Sequence, residues 1–235
     1  MKGTWFYHPG AIIAGRLMAF LGGARIEGLE RVPRTGPFII IANHCSQMDP
    51  PVLGWATGHQ IGRVIHFMAK EEMHGWPIIG WLADRAAVFF VRRGEGDRAS
   101  QRLALSLLAA GKPIGIFPEG TRSRDGRMRE FRAGASLLAI RSGAPILPVG
   151  IAGTHRLFPA GSKLPRRSRV TFRIGQPFTL GHQPTGRIDR AVLAAGTQRM
   201  ADEVSALLPA SQRPLPEHSW PRPVRTLGEG VAARA

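Results

Sequence analysis

Short apolar runs recur along this chain with helix-forming segments between them, and that alternation most narrows the folds open to it. "ARIEGLERVPRTGPFIIIANH" holds a short strand, a Pro/Gly turn and a buried strand at Phe38–Ala42. "RVIHFMA" (Arg63–Ala69), "AAVFFVRR", "PIGIFP", "PILPVGIAG" and "RVTFRIG" read as further strands. Asp49 is placed as an N-cap with proline at the first helical position, so a helix should begin near Pro50. "WPIIGWLAD" reads as a short helix. "GDRASQRLALSLLAAGKP" reads as another, with Leu103, Leu107 and Ala110 on one face and Gly111 as its stop. "ASLLAIRSG" and "RIDRAVLAAGTQRMADEVSALL" complete the helices. The expectation is an α/β fold, a mostly parallel sheet flanked by helices.

The 235 residues are enough for one domain with appendages. Residues 1–23 form an N-terminal amphipathic segment, residues 24–208 the main domain, and residues 209–235 a Pro/Arg-rich tail without apolar periodicity, expected to be disordered. In the first segment the apolar run is shorter than the roughly 20 residues of a spanning helix, and Arg16 interrupts it. A helical wheel puts Ile13, Leu17, Phe20 and Leu21 on one face, opposite Gly15, Arg16 and Ala19. That face either packs on the domain's own core or lies in a membrane interface, with Trp5, Phe6 and Tyr7 as aromatic anchors. We carry the second placement forward as an N-terminal membrane-interface helix.

The formal net charge is +16, which demands an anionic partner: nucleic acid, anionic lipid, an acidic protein or a phosphorylated substrate. The single cysteine, Cys45, excludes an internal disulfide framework and any CxxC metal knuckle.

Chemistry concentrates in two loops. In "NHCSQMDPP", His44 follows a buried strand and Asp49 stands five positions on. A loop that folds back would let the carboxylate hold one imidazole nitrogen while the other takes a proton from a hydroxyl. The spacing also suits a histidine that merely satisfies loop backbone. Cys45, next to His44, should point away from it and be buried. In "FPEGTRS" (Phe117–Ser123), also after a buried strand, Gly120 allows close backbone approach, Arg122 offers a fork to phosphate oxygens and Glu119 can bind a hydroxyl. Pro148, inside "ILPVGI", signals a bulge or an edge position as readily as a functional one.

"NHCSQMD", the strand ending in Arg92, "FPEGTRS" and "ILPVGI", in that order, resemble the four motifs of the glycerophospholipid acyltransferases. The resemblance is nearest to the 1-acyl-sn-glycerol-3-phosphate acyltransferases and runs from about Glu27 to Gly153. The second motif departs from the family pattern in having Ala86 and Val91. The resemblance implies that His44 is the general base and Asp49 its orienting partner. It implies that Arg92, Glu119, Gly120, Thr121 and Arg122 bind the acceptor's glycerol phosphate and that Pro148 shapes the acyl-donor region. It further implies a lysophospholipid acceptor, an acyl thioester as co-substrate (acyl-CoA or acyl carrier protein), no metal and no other cofactor. Peripheral or monotopic attachment to the cytoplasmic face of a membrane follows, with anionic lipid as a partner and the acyl carrier protein as a further one.

Two competing readings are a lyso-ornithine or other lysolipid acceptor within the family, and a basic nucleic-acid-binding protein from another class. Against the latter, the basic residues are spread rather than banded and no nucleic-acid reader motif is present, so nucleic acid is not expected as a partner. A metal hydrolase built on His44 and Asp49 finds no metal-ligand spacing among the other histidines.

Overall fold

The computed structural model describes residues 5–70, 88–91, 96–159 and 164–215. Within them seven strands form one sheet in the order β1-β7-β6-β2-β5-β3-β4. The strands are β1 (Ala24–Glu27), β2 (Ile39–Ala42), β3 (His66–Lys70), β4 (Val88–Val91), β5 (Ile114–Ile116), β6 (Ile146–Ala152) and β7 (Val170–Ile174). All neighbouring pairs are parallel except β6 with β7. The helices are α1 (Tyr7–Phe20), α2 (Asp49–Ala56), α3 (Gly96–Ala109), α4 (Gly134–Ser142), α5 (Thr154–Leu157) and α6 (Arg190–Ala206). This is the mostly parallel α/β sheet that the alternation implies. The "WPIIGWLAD" helix lies outside the described residues.

Alternating strand residues feed two cores. Ile40, Ala42, Leu147 and Val149 face α1 and α2, where Met18, Val52 and Leu53 are buried against them. Ile39, Ile41, Ile114 and Ile116 face α3, α4 and α6 through Leu107, Leu138, Met200 and Val204. Burial on both faces explains why the central strands are uninterrupted apolar runs.

Three boundaries differ from expectation for physical reasons. Helix α2 starts at Asp49 itself, behind Met48 and with no side-chain cap, because the Asp49 carboxylate turns back into the preceding loop. Helix α6 starts at Arg190 because the Asp189 side chain accepts the Ala191 N–H at 2.7 Å. Residues 209–215, assigned to a disordered tail, are ordered: Ala210–Gln212 is a 3₁₀ turn and Gln212 is buried. Residues 216–235 lie outside the described residues.

Helix α1 packs inward through Tyr7, Ala11, Ala14 and Met18, and Leu21 just after it is buried; of the apolar face carried forward to the membrane interface, Ile13 is 58% and Phe20 72% exposed. The cause is close packing on α2. The Tyr7 hydroxyl donates to the Gly54 carbonyl, and a Cβ on Gly15 would stand 2.2 Å from the Trp55 indole nitrogen. Small side chains let the helices approach, and that geometry outranks the size of Ile13 and Phe20.

The contact between β6 and the end of α6 depends on Gly150, whose added Cβ would stand 2.7 Å from Leu207 Cβ and 3.0 Å from its backbone. Gly150→Ala should therefore destabilise the protein by about 1–3 kcal/mol through overpacking. Denaturant unfolding should show a lower midpoint with an unchanged slope.

Candidate active site

Strands β2 and β5 are adjacent and parallel, but the chain leaves their carboxyl ends toward opposite faces. After β2 it enters α2 over one core, and after β5 it reaches α4 over the other. The two loops part above the pair and open a crevice, the place where open α/β sheets present working residues. "NHCSQMD" and "FPEGTRS" are these two loops.

The first loop is clamped to β6 by Asn43, whose amide donates to the Ile151 carbonyl at 2.9 Å and whose carbonyl accepts the Ile151 N–H at 2.7 Å. The next residue is His44. Its Nδ1 lies 2.8 Å from Asp49 Oδ2, which also accepts the Cys45 and Ser46 N–H groups at 2.7 Å each. An oxygen already taking two backbone N–H bonds is an acceptor, so Nδ1 carries the proton and Nε2 is the free nitrogen. The Asp49 side chain is fully buried while the His44 ring keeps 17% exposure. The ring stacks on Phe117 at 4.3 Å between centroids. An imidazole held this way can accept a proton from a hydroxyl in the crevice.

The second loop is tied to the first. The His44 N–H donates to Glu119 Oε1 at 2.8 Å, and the Ser123 N–H donates to the His44 carbonyl at 2.8 Å. Glu119 Oε2 accepts the Arg129 N–H at 3.2 Å, and the loop closes through the Arg132 N–H to the Pro118 carbonyl at 3.0 Å. Both oxygens of Glu119 thus brace backbone. Burial pushes its carboxyl up to about 8; its two N–H donors pull the other way, and Asp49 adds to the rise.

Gly120 sits at a positive φ of 67°, a turn that glycine takes without strain. Thr121 is half-buried. Arg122 is exposed and has no ion-pair partner among the described residues. Beside this loop an open cleft of about 500 Å³ is lined by Thr121, Arg129, Arg132, Thr197 and Gln198.

The structure therefore brings His44, Asp49, Glu119, Gly120, Thr121 and Arg122 to one edge. Arg92 lies outside the described residues. Pro148 is not in this cluster: it is buried inside β6, level with Ile41. Three steps along β6, from Ile146 to Val149, face four on the other chain, from Phe178 back to Ile174. Pro148 sits opposite that bulge, where no ladder donor is missed.

Cys45 is buried with its sulfur 3.3 Å from Thr154 Oγ1, and burial and the nearby Asp49 push its thiol up. That is the opposite of an activated nucleophile. Among the described residues no three His, Cys, Asp or Glu side chains gather as metal ligands.

Sequence reasoning missed Gln212. Its side-chain oxygen accepts the Gly153 N–H and its side-chain NH₂ donates to the Gly126 carbonyl, both at 3.1 Å, while its backbone carbonyl accepts the Met128 N–H at 2.8 Å. One side chain thereby ties the loops after β5 and β6. These partners are 59 and 86 positions away, so no local pattern announces them.

The family pattern for acyltransferases matches residues 23–152, a span that contains every candidate site residue. The chain belongs to the acyltransferase family. It is 34% identical over 143 residues to a chloroplastic 1-acyl-sn-glycerol-3-phosphate acyltransferase of Arabidopsis thaliana, covering 59% of this chain and 38% of that protein. It is 37% identical over 130 residues to a lyso-ornithine lipid O-acyltransferase of Pseudomonas aeruginosa, covering 54% of this chain and 46% of the other. The chain thus spans less than half the length of these two relatives. The crystal structure of the 1-acyl-sn-glycerophosphate acyltransferase PlsC of Thermotoga maritima has the same fold, with a TM-score of 0.68 and 28% identity over 85% of this chain and 77% of that one.

Two outcomes are expected. Because Glu119 is raised from 4.5 to about 8, the folded state holds a proton there that the unfolded chain releases at lower pH. Its contribution to stability is present below about 4.5 and is lost as pH rises through about 8. Melting temperature measured between pH 5 and 9 should show this fall, and it should flatten in Glu119→Gln. Gln212→Ala leaves the buried Gly153 N–H and Gly126 carbonyl unpaired, so it should destabilise by roughly 2–3 kcal/mol, and hydrogen exchange should rise at Gly153.

Proposed function

We propose that this protein transfers an acyl group from an acyl thioester to the free hydroxyl of 1-acyl-glycerol-3-phosphate, forming phosphatidic acid. The observation that carries the proposal is the His44–Asp49 pair, 2.8 Å apart, at one sheet edge with the unpaired guanidinium of Arg122. Nε2 of His44 takes the hydroxyl proton as the acceptor oxygen attacks the thioester carbonyl carbon. The C–O bond forms, the C–S bond breaks, and the departing sulfur receives the proton from His44. Asp49 holds the tautomer and balances the imidazolium between the two proton transfers. Arg122 takes the acceptor phosphate in a charge-assisted fork, with Gly120 and Thr121 offering close backbone and hydroxyl contact. Glu119 contributes by holding the His44 backbone. Buried Cys45 and Ser46 support direct transfer without an acyl-enzyme. Arg92 and Pro148 keep the acceptor and donor roles that the family resemblance implies for them.

The donor is acyl-CoA or an acyl carrier protein. The protein works at the cytoplasmic face of a membrane, attached peripherally. Among the described residues no helix is long and apolar enough to cross a membrane, and α1 presents Ile12, Ile13 and Phe20 outward with Trp5 exposed just before it, a face suited to the lipid interface. The net charge of +16 favours anionic lipid. The similarity to the Pseudomonas aeruginosa enzyme supports a second acceptor, a lyso-ornithine lipid.

Purified protein offered a panel of lysophospholipids and lyso-ornithine lipid, with acyl-CoA and separately with acyl carrier protein, should give phosphatidic acid by mass. Product from another acceptor alone would replace this assignment. His44→Ala should lower kcat by about 10²–10⁴-fold while circular dichroism stays unchanged; near-normal turnover would refute the base. Arg122→Ala should raise KM for lysophosphatidic acid by about 10–100-fold, with Arg122→Lys intermediate. A rise confined to the donor KM would move Arg122 to the donor site.

A further inference from the structure

The loop before β7 stands at the end of the sheet that carries the crevice and joins the end of α1 there. Strand β6 runs parallel to β2, and β7 starts antiparallel beside its end, with Thr171 opposite Ala152. Residues 164–169 therefore lie on the same edge of the sheet as His44. Strand β7 is two positions from β2, so the loop is roughly 10 Å along the edge from the crevice, at about 4.8 Å per strand.

This loop is pinned, not loose. The Ser168 N–H donates to the Leu21 carbonyl at 2.7 Å, and the Arg166 N–H donates to the Leu157 carbonyl at 2.8 Å. The Ser168 hydroxyl donates to the Gly153 carbonyl at 3.0 Å, and the Val170 N–H to the Gly23 carbonyl at 3.1 Å. The end of α1 and the loop thus form one platform. On it stand two exposed apolar side chains, Phe20 at 72% and Leu164 at 74% exposure. Around them Arg16, Arg156, Arg166, Arg167 and Arg169 are exposed, with the Arg167 guanidinium 6.0 Å from the Phe20 ring centre.

The two segments that build this platform carry no acidic residue of their own. No Asp or Glu occurs before Glu27, and none occurs between Glu130 and Asp189. None of Arg166, Arg167 and Arg169 has an ion-pair partner among the described residues. Arginines surrounding exposed apolar side chains, on a fixed backbone, match a bilayer with anionic headgroups: the apolar groups enter the acyl boundary and the guanidinium groups meet phosphates. A soluble acidic protein would match the charge but gives no reason for Phe20 and Leu164 to project.

We propose that residues 164–169, together with Phe20 and Arg16 at the end of α1, form an anionic-lipid docking patch that turns the His44 edge toward the membrane. The proposal rests on the lipid-acceptor reading only for its purpose; the docking itself is tested without turnover.

The triple variant Arg166→Gln/Arg167→Gln/Arg169→Gln should bind vesicles of equal parts phosphatidylglycerol and phosphatidylcholine on the order of 100-fold more weakly than wild type. Both proteins should bind pure phosphatidylcholine vesicles equally. Its transfer to a detergent-dispersed lysolipid should match wild type, while transfer to vesicle-embedded lysolipid falls. Undiminished vesicle binding overturns the patch, and so does undiminished binding combined with lost affinity for an acyl carrier protein, which would assign the arginines to that protein instead. Leu164→Cys, labelled with an environment-sensitive dye, checks insertion directly, since Cys45 is the only native cysteine and is buried. A blue shift on the anionic vesicles supports the patch; an unshifted spectrum with vesicles bound refutes it. If wild type acylates no lysolipid, the acyltransferase reading fails, and vesicle binding still decides the patch.

Discussion

Two parallel strands that are neighbours in space but distant in sequence, β2 and β5, set the terms for the rest of this structure. From β2 the chain crosses over one face to β3, skipping β5; from β5 it crosses the other face to β6, skipping β2. Parallel strands need such crossovers, and their shared handedness sends the two loops to opposite sides. The crevice is a consequence of connectivity before any side chain is chosen. The chain then holds its rims together at the bottom, with His44 backbone groups bonded to Glu119 and Ser123.

Two buried carboxyls lie beneath the first rim, each bonded differently. Asp49 has no exposure, yet one of its oxygens accepts three hydrogen bonds, two from backbone and one from His44. Glu119, equally buried, accepts two backbone N–H bonds and stands near the Asp49 charge, and its carboxyl is pushed up to about 8. Burial is the main cause of that rise, and the nearby Asp49 adds to it. The arrangement suits the proposed base: Asp49 holds Nδ1 of the imidazole, while Glu119 braces the backbone beneath it.

Much of this was legible because it is local. His44 and Asp49 are five positions apart, and both working loops follow apolar runs that only a buried strand would explain. What escaped was tertiary. The Asp49 side chain looked like a helix cap, but two loop N–H groups and an imidazole compete for the same oxygen and win. For α1 the sequence shows an apolar face but not the small-residue face, Ala11, Ala14 and Gly15, through which the helix meets Trp55 and α2. Gln212 sits in a stretch whose composition resembles a tail, and its buried hydrogen bonds reach far back along the chain. Pro148 reads alike as a motif residue and as a strand breaker; the bulge opposite it accounts for its tolerance inside β6.

Helix α1 joins the core to the outside, and its orientation has an energetic logic. Leaving a large apolar side chain in water forgoes about 1.5–3 kcal/mol each, and Ile13 and Phe20 are exposed at 58% and 72%. Turning the helix to bury them would separate the small face from α2 and break the Tyr7 bond to Gly54, so the core fixes which residues face outward. Strand β1 then starts shortly after the helix, parallel to β7, whose own start lies beside the end of β6. The helix accordingly ends at the sheet edge that carries His44. The packing that buries Met18 also fixes where Phe20 projects, and it does so next to the loop that carries the arginines. The side chains the fold leaves exposed, apolar on α1 and cationic before β7, stand along the edge where the proposed lipid acceptor would arrive.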